Sequence, residues 1–290
     1  MANMNMKNSP IEHITFKSHN FLVKRDDLLH KDFSGNKARK FLYFLEHNLD
    51  GIHTLISHGS NQSNAMYSLS VLCKLKNWEF IYYTNHIPSY LQENPQGNYK
   101  YALDNGMNLV IKDDFDKKEL ILDKQTLFIE EGGALQEASY GLKLLADELT
   151  FYIKQHNLEN IKIFLPSGTG TTALFLQKYL NYEVLTCPCV GDEKYLKQQF
   201  SVLEKDELLH PTILTSGKKY HFGKLYKENY LLYQELLKNT NIEFDLLYDP
   251  IGWNTLLSHY DSQYKYIYIH QGGLIGNESM LQRYEHKYKQ

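Results

Sequence analysis

The feature that most constrains the fold is an alternation, along the 290-residue chain, between two kinds of segment. Short runs rich in β-branched and aromatic residues alternate with longer stretches in which apolar residues recur three and four apart. This pattern is typical of βαβ units around mostly parallel sheets, so we predict an α/β fold, either one large domain or two smaller ones sharing a cleft. The predicted strands are residues 21–24, 53–57, 80–84, 109–112, 126–129, 161–165, 183–186, 245–248 and 266–270.

Most intervals between these strands are predicted to be helical. Residues 87–97 contain two prolines, a glycine and several polar side chains, which favours a loop over a cleft. The clearest amphipathic helices are residues 62–76, 137–155, 173–180 and 229–237.

The composition argues against several classes of partner. Lys plus Arg number 31 against 34 Asp plus Glu, so we expect a small ligand and neither nucleic acid nor a membrane. The amino terminus lacks the apolar core of a secretion signal, and no apolar run is long enough to span a bilayer. Cys73, Cys187 and Cys189 cannot all pair and lack metal-site spacing, which favours buried thiols, a cytoplasmic location and no metal.

The first candidate functional segment opens a predicted helix that continues through FLYFLEH. Ser34 or Asn36 is expected to cap this helix. At about 100° per residue, Lys37 falls between Phe41 and Phe44 in the apolar arc. Arg39 and Glu46 are expected to point the other way.

Two interpretations of Lys37 compete. Most helix lysines are solvated, with the stem covering apolar surface. A core-facing amine instead has a lowered pKa, and a neutral amine can form an imine with an aldehyde cofactor and later move a proton.

The second candidate segment is LPSGTGTT at residues 165–172, between a predicted strand and a predicted helix. Its backbone N–H groups, hydroxyls and helix amino terminus suit a phosphate. Gly168, Gly170 and Ala173 also satisfy the dinucleotide fingerprint, so an NAD-dependent oxidoreductase stays open as an alternative. That alternative is weakened because an acid is expected after the next strand, where the chain reads Cys-Pro-Cys and Asp192 comes only later. A plain tight connection is a third interpretation.

The third candidate segment is HGSNQSN at residues 58–64, which follows a predicted strand and begins a predicted helix. It can be a run of helix-capping residues, or it can receive a substrate carboxylate and a phenolic oxygen.

Taken in order, these segments resemble the D-cysteine desulfhydrase and 1-aminocyclopropane-1-carboxylate (ACC) deaminase family over nearly the whole chain. The ordered set is VKRDDL, FSGNKARK, HGSNQSN, EGG, LPSGTGTT, YDPIGW and IHQGG. The resemblance implies a pyridoxal 5′-phosphate (PLP) enzyme with two domains and the tryptophan synthase β-subunit-like fold, known as fold type II. The domains would be a large PLP-binding domain, residues 1–45 plus 146–290, and a small α/β domain, residues 46–145.

The resemblance also implies roles for individual residues. Lys37 would be the Schiff-base lysine, Asn64 would bond the cofactor O3′ oxygen, and Ser63 would meet the substrate carboxylate. Gln271 would lie near the pyridine nitrogen, where desulfhydrases carry a hydroxyl residue. The 5′-phosphate would be held, chiefly through backbone N–H groups, by Ser167, Gly168, Thr169, Gly170 and Thr171.

Two departures from the family pattern affect the predicted reaction. Ala65 replaces a usual His, and Gly252-Trp253 replaces the Tyr-Glu pair of the deaminases. We therefore predict β-elimination from a small amino acid, with D-cysteine favoured, giving pyruvate, ammonia and sulfide. Alternatives are ACC ring opening, β-replacement and a catalytically degenerate PLP-binding relative. A homodimer is expected because relatives pair.

Overall fold

A computed structural model describes residues 8–33, 35–120 and 122–288. In these ranges the chain has the predicted α/β character, with two separate sheets. The strands are β1 (Ile11–Phe16), β2 (His19–Arg25), β3 (Thr54–His58), β4 (Glu79–Thr84), β5 (Met107–Ile111), β6 (Thr126–Ile129), β7 (Ile161–Ser167), β8 (Glu183–Pro188), β9 (Thr212–Ile213) and β10 (Lys265–His270). The helices are α1 (Gly35–Glu46), α2 (Asn64–Lys76), α3 (Ser89–Glu93), α4 (Gly97–Asp104), α5 (Ala138–Gln155), α6 (Thr171–Tyr179), α7 (Glu193–Leu203), α8 (Lys227–Thr240), α9 (Asp249–Ser258) and α10 (Gly276–Tyr288).

The larger sheet has six strands in the order β1-β2-β10-β7-β8-β9. Its strands are parallel apart from β1, which pairs antiparallel with β2. Helices cover both faces, so the central strands β7 and β10 are buried almost throughout and read as near-continuous apolar runs.

The smaller sheet has four parallel strands in the order β5-β4-β3-β6. Its core includes Leu69 and Leu72 of α2 together with Phe41 and Phe44 of α1. Helix α1 therefore packs with the smaller sheet through one face. Its other face meets α5, where Gly141 lies so close to the Arg39 carbonyl that a Cβ would stand 2.1 Å from the oxygen. The two-domain boundaries at residues 46 and 146 stay a prediction.

Eight of the nine predicted strands coincide with observed ones to within a few residues. The prediction of a strand at 245–248 is wrong. Asp245 Oδ1 accepts hydrogen bonds from the N–H groups of Leu247 (2.8 Å) and Tyr248 (2.6 Å), so the backbone turns just before α9 and does not join a sheet. Strands β1 and β9 were not predicted.

Two smaller predictions also need correction. The proposed loop at residues 87–97 contains the short helix α3. Asn36 is not the cap of α1, because the helix already begins at Gly35, and Ser34, the other proposed cap, lies outside the described residues.

One further feature was anticipated from composition. All three cysteines are free and buried. Among the described helices, none combines the length and apolar character that crossing a membrane requires.

Candidate active site

The site is built where loops leave the carboxyl ends of strands, which is where open parallel sheets bind ligands. The turn Glu131–Gly133 follows β6, residues 168–170 follow β7, and Gln271 follows β10. Helix α1 runs past these loops and carries Lys37.

Two lysines of α1 share one acceptor. Lys37 Nζ lies 3.1 Å and Lys40 Nζ 2.9 Å from the carbonyl oxygen of Gly132. A Cβ at Gly132 would stand 2.8 Å from Thr169 Cγ2, so the same glycine also touches the loop after β7. One residue thus connects the amines with the predicted phosphate loop.

Burial sets the proton affinity of both amines. Desolvation lowers the pKa of Lys37 to about 8, opposed by a hydrogen bond with Lys40 and by the negative charge of Glu131. Desolvation and the neighbouring Lys37 hold the pKa of Lys40 well below its usual value. Lys40 is 2% exposed, whereas Lys37 is only partly buried and stays reachable. Lys37 thus faces the interior, as predicted.

Arg39, which points away from these lysines, is buried as well. Its guanidinium bonds Asp26 at 2.9 and 3.1 Å and Glu148 at 2.7 Å through each of two nitrogens. Lys24 Nζ lies 2.6 Å from Glu148 Oε2 and completes the cluster. Helix α1 is therefore covered on both sides, and only one side has its charges paired.

The loop between β7 and α6 has the predicted form of a strand, a glycine turn and a helix amino terminus. Gly170 precedes α6 with φ +74°, and a Cβ there would stand 2.4 Å from a Phe200 ring carbon, so both conformation and space require glycine. The first turn of α6 offers N–H groups that have no acceptor within the helix.

The hydroxyls of this loop differ in what they can still bind. Thr186 Oγ1 donates to the Leu165 carbonyl (2.8 Å), so the hydroxyl of Ser167, 2.7 Å away, donates to Thr186 and has no proton left for a ligand. Thr169 and Thr171 bond one another at 3.2 Å. The Thr172 hydroxyl is buried and has no partner among the described residues. Thr172 was missed, although it stands in the same TGTT run.

Ser63 and Asn64 begin α2. Ser63 caps the helix, because its Oγ accepts from the N–H groups of Ala65 (3.1 Å) and Met66 (3.4 Å), and its hydroxyl also interacts with the phenol of Tyr82. Asn64 Oδ1 accepts from Asn98 Nδ2 at 2.7 Å, so its own Nδ2 is fixed as the free donor end.

Asn64 Nδ2 faces Gly273, where a Cβ would stand 2.6 Å from it. Gly273 belongs to the loop after β10 and has φ +86°. A larger side chain at this position would close the approach to Asn64.

Gln271 connects two of the predicted segments. Its Oε1 accepts from Asn36 Nδ2 at 3.0 Å, and its Nε2 donates to the Pro166 carbonyl at 2.6 Å. The backbone carbonyl of Gln271 accepts from the Asn36 N–H at 2.9 Å. Gln271 therefore holds the start of α1 against the end of β7, with both ends of its amide engaged.

The three positions that depart from the family pattern are enclosed by packed side chains. Trp253 is fully buried and stacks on Tyr268 with ring centroids 4.3 Å apart. At Gly252 a Cβ would stand 2.8 Å from the Tyr268 hydroxyl, and Ala65 packs in the core of the smaller sheet. Gly252 and Ala65 have no polar side-chain group, and the indole N–H of Trp253 is buried without a partner among the described residues.

Comparison with known proteins identifies the fold. No family model matches the chain. Putative D-cysteine desulfhydrase 2, mitochondrial, from Oryza sativa subsp. japonica is 24% identical over 329 residues, covering 91% of this chain and 80% of the rice protein. The crystal structure of an ACC deaminase homologue superposes with a TM-score of 0.79 at 19% identity and covers 96% of this chain and 93% of its own.

A hydrogen sulfide-producing enzyme from Fusobacterium nucleatum has a TM-score of 0.68 at 13% identity and covers 94% of this chain and 98% of its own. The chain has the fold-type II architecture. The predicted tryptophan synthase β-subunit-like fold and the resemblance to the desulfhydrase and deaminase family are thereby confirmed.

The residues present fit the PLP that binds to this fold type. Lys37 supplies a desolvated amine, the amino terminus of α6 supplies anion-binding N–H groups, and Asn64 supplies an amide donor facing the glycine of a neighbouring loop. The unpartnered hydroxyl of Thr172 lies in the first turn of α6. Among the predicted residues, the side chains of Ser167 and Gln271 already donate elsewhere, to Thr186 and to the Pro166 carbonyl.

Proposed function

We propose that this protein is a PLP-dependent lyase that eliminates the β-substituent of a small amino acid, with D-cysteine as the favoured substrate. The observation that carries the proposal is the half-buried Lys37 amine, bonded to Gly132, which itself contacts the loop at residues 168–171. The similarity to a protein named as a D-cysteine desulfhydrase and to a sulfide-producing enzyme supports the reaction class.

PLP, when bound, supplies the electron sink for the charge left at the substrate Cα. Lys37 would hold the cofactor aldehyde and then, as a free amine, take the α-proton. With a pKa of about 8, about a tenth of this amine is neutral at pH 7, against less than a thousandth for an ordinary lysine.

The other predicted residues would bind and orient. The Ser63 hydroxyl, whose oxygen already accepts from the helix, would donate to the substrate carboxylate, and Asn64 Nδ2 would donate to the cofactor O3′ oxygen. The α6 amino terminus, with Gly168 to Thr172, would hold the 5′-phosphate. Elimination from cysteine, with hydrolysis of the released product, gives pyruvate, ammonia and sulfide.

Elimination is preferred over ACC ring opening for a structural reason. The family's Tyr-Glu pair falls here on Gly252 and Trp253, which are enclosed by Tyr268 and Pro166. The oxidoreductase alternative would need Asp192 as the acid that binds the dinucleotide. It loses support because Asp192 caps α7, accepting from the Tyr195 N–H at 2.9 Å.

Reduction with borohydride tests the cofactor assignment. We expect the purified protein with PLP to absorb near about 410–420 nm, and we expect reduction to attach the pyridoxyl group to Lys37, because an imine is reducible. Peptide mass mapping gives the site. Lys40→Met is the matched control, since Lys40 bonds the same carbonyl and should leave the labelling unchanged. A label on Lys40, or none, would contradict the assignment.

A substrate panel tests the reaction. D- and L-cysteine, D- and L-serine and ACC are incubated with the holoenzyme, and pyruvate, 2-oxobutyrate, ammonia and sulfide are measured. Pyruvate with sulfide from D-cysteine is the expected result, whereas 2-oxobutyrate from ACC would establish ring opening. No product from any substrate, with Lys37 labelled, would indicate a degenerate PLP-binding protein. A new amino acid formed when a thiol is added would indicate β-replacement.

The proposal extends to cellular location and oligomeric state. We propose a cytoplasmic homodimer, in which residues 1–45 plus 146–290 form the PLP-binding domain and residues 46–145 the smaller domain. Sedimentation of the purified protein tests the dimer.

A further inference from the structure

Among the described residues, a buried carboxyl group beside the site has one oxygen without a hydrogen-bond partner. Asp245 is 2% exposed, and its Oδ1 accepts from the Leu247 and Tyr248 N–H groups. Its Oδ2 is buried and has no hydrogen-bond partner among the residues that the structure describes. Burying a polar oxygen without a hydrogen bond costs free energy, which indicates that a ligand atom supplies the missing bond.

The position of Asp245 connects two sides of the cofactor site. A Cβ at Gly273 would stand 3.4 Å from Asp245 Oδ2 and 2.6 Å from Asn64 Nδ2, so the carboxyl lies beside the O3′ donor. Three residues on, the Tyr248 ring stands 3.4 Å from a Cβ placed on Gly168, in the phosphate loop. The segment from Asp245 to Tyr248 thus spans from the O3′ side to the phosphate side.

One polar atom of PLP has no assigned partner in this arrangement. Lys37 takes the aldehyde, α6 the phosphate and Asn64 the phenolic oxygen, which leaves the pyridine nitrogen. That nitrogen is para to the aldehyde carbon and so lies away from the lysine. The negative charge that raises the pKa of Lys37 is that of Glu131 and not that of Asp245, in agreement with a carboxyl at the far end of the ring.

The other candidates for this role are occupied or enclosed. Gln271 already bonds Asn36 and Pro166 through its two amide ends. Trp253, in place of the deaminase acid, is fully buried against Tyr268. Asp249, the other buried acid of this segment, accepts from the Tyr268 hydroxyl at 2.6 Å and from the Asp245 N–H at 2.9 Å.

We propose that Asp245 Oδ2 binds the pyridine nitrogen of the cofactor and keeps that nitrogen protonated. This inference rests on the proposed PLP-dependent function and replaces the neutral partner that the resemblance predicted at Gln271. The proton is shared between one carboxyl oxygen and one ring nitrogen, so a protonated Asp245 delivers it on binding and becomes a carboxylate paired with an N–H cation. A protonated ring withdraws electrons more strongly than a neutral one.

Nuclear magnetic resonance of the holoenzyme with PLP labelled with ¹⁵N in the ring tests the protonation. We expect the resonance of a protonated pyridine in the unmodified protein and of a neutral one in Asp245→Asn, which keeps the Oδ1 acceptor. Gln271→Met should stay protonated, and so should Asp249→Asn, the matched buried acid. A neutral ring in the unmodified protein, or a protonated ring in Asp245→Asn, would overturn the inference.

Cofactor affinity gives a second readout that does not depend on turnover. The dissociation constants of PLP and of its analogue with carbon in place of the ring nitrogen are compared by fluorescence titration. A charge-assisted hydrogen bond should give the unmodified protein about a 10- to 100-fold preference for PLP, falling to less than about threefold in Asp245→Ala. An unchanged preference would refute the contact.

The two proposals fail in different ways. If the unmodified protein forms no reducible chromophore on Lys37, the PLP-dependent function is wrong and no ring resonance is observed. If Lys37 is labelled but the protonation of the ring nitrogen does not depend on Asp245, only the present inference fails.

Discussion

The two sides of helix α1 carry basic side chains that differ in their partners. On one side, Arg39 forms four hydrogen bonds with Asp26 and Glu148. On the other, Lys37 and Lys40 share a single neutral carbonyl. Breaking a buried ion pair is strongly destabilising, whereas a desolvated amine bonded only to a carbonyl has the lowered pKa that a reactive amine requires. The comparison separates a structural side of α1 from a chemical one.

The largest expected effect is on the chemical side. Replacing Lys37 by Ala removes both the cofactor link and the base, so we expect kcat/KM for D-cysteine to fall by at least about 10³-fold. The measurement is sulfide release from protein of verified folding. A loss below tenfold would mean that Lys37 lies on the structural side of the comparison.

A change on the structural side should lower the free energy of unfolding. Arg39→Met leaves the buried carboxylate of Asp26 without its cation, and we expect the free energy of unfolding to fall by about 3–5 kcal/mol. Denaturant titration measures it. Lys197→Met, which removes an exposed pair with Glu193, should lower the free energy of unfolding far less. Equal losses in the two variants would contradict the assignment of Arg39.

Asp245 should make the stability of the cofactor-free protein depend on pH. Burial raises the pKa of its carboxyl to about 7. The folded state therefore holds a proton more tightly than the unfolded state, so stability is greatest at low pH and is lost as pH rises from about 4 through 7, by up to about 4 kcal/mol. Denaturant titrations at several pH values should show a smaller decline for Asp245→Asn. Equal declines would sink the prediction.

The smallest effect is a gain in stability. Since burial lowers the pKa of Lys37 to about 8, Lys37→Met should stabilise the cofactor-free protein at pH 7 by about 1–3 kcal/mol while abolishing the label. Thermal unfolding compares it with Arg39→Met, which should change in the opposite direction. If both variants are destabilised, the contrast between the two sides of α1 is lost.

Local patterns predicted much of the fold and part of the site. Period and composition located α1, α2, α5 and the central strands, because buried strands and amphipathic helices leave a repeating signal. The strand predicted at 245–248 failed, because an apolar run with an aspartate before it gives the same composition whether it pairs or turns. Thr172 was overlooked for another reason: a hydroxyl near a helix start can cap, bond a neighbour or stay free, and only its surroundings decide which.

The sequence by itself determined the α/β class, the glycine turn before α6 and the interior orientation of Lys37, since each depends on residues adjacent along the chain. Only the tertiary structure decided that Lys40 shares the acceptor of Lys37 and that Gln271 is engaged at both ends. It also decided that Asp245 Oδ2, beside Asn64, lacks a partner in the described part of the chain. These outcomes depend on contacts between segments up to 235 positions apart. No local pattern encodes which of them meet, because the packing of the two sheets and their helices sets those distances.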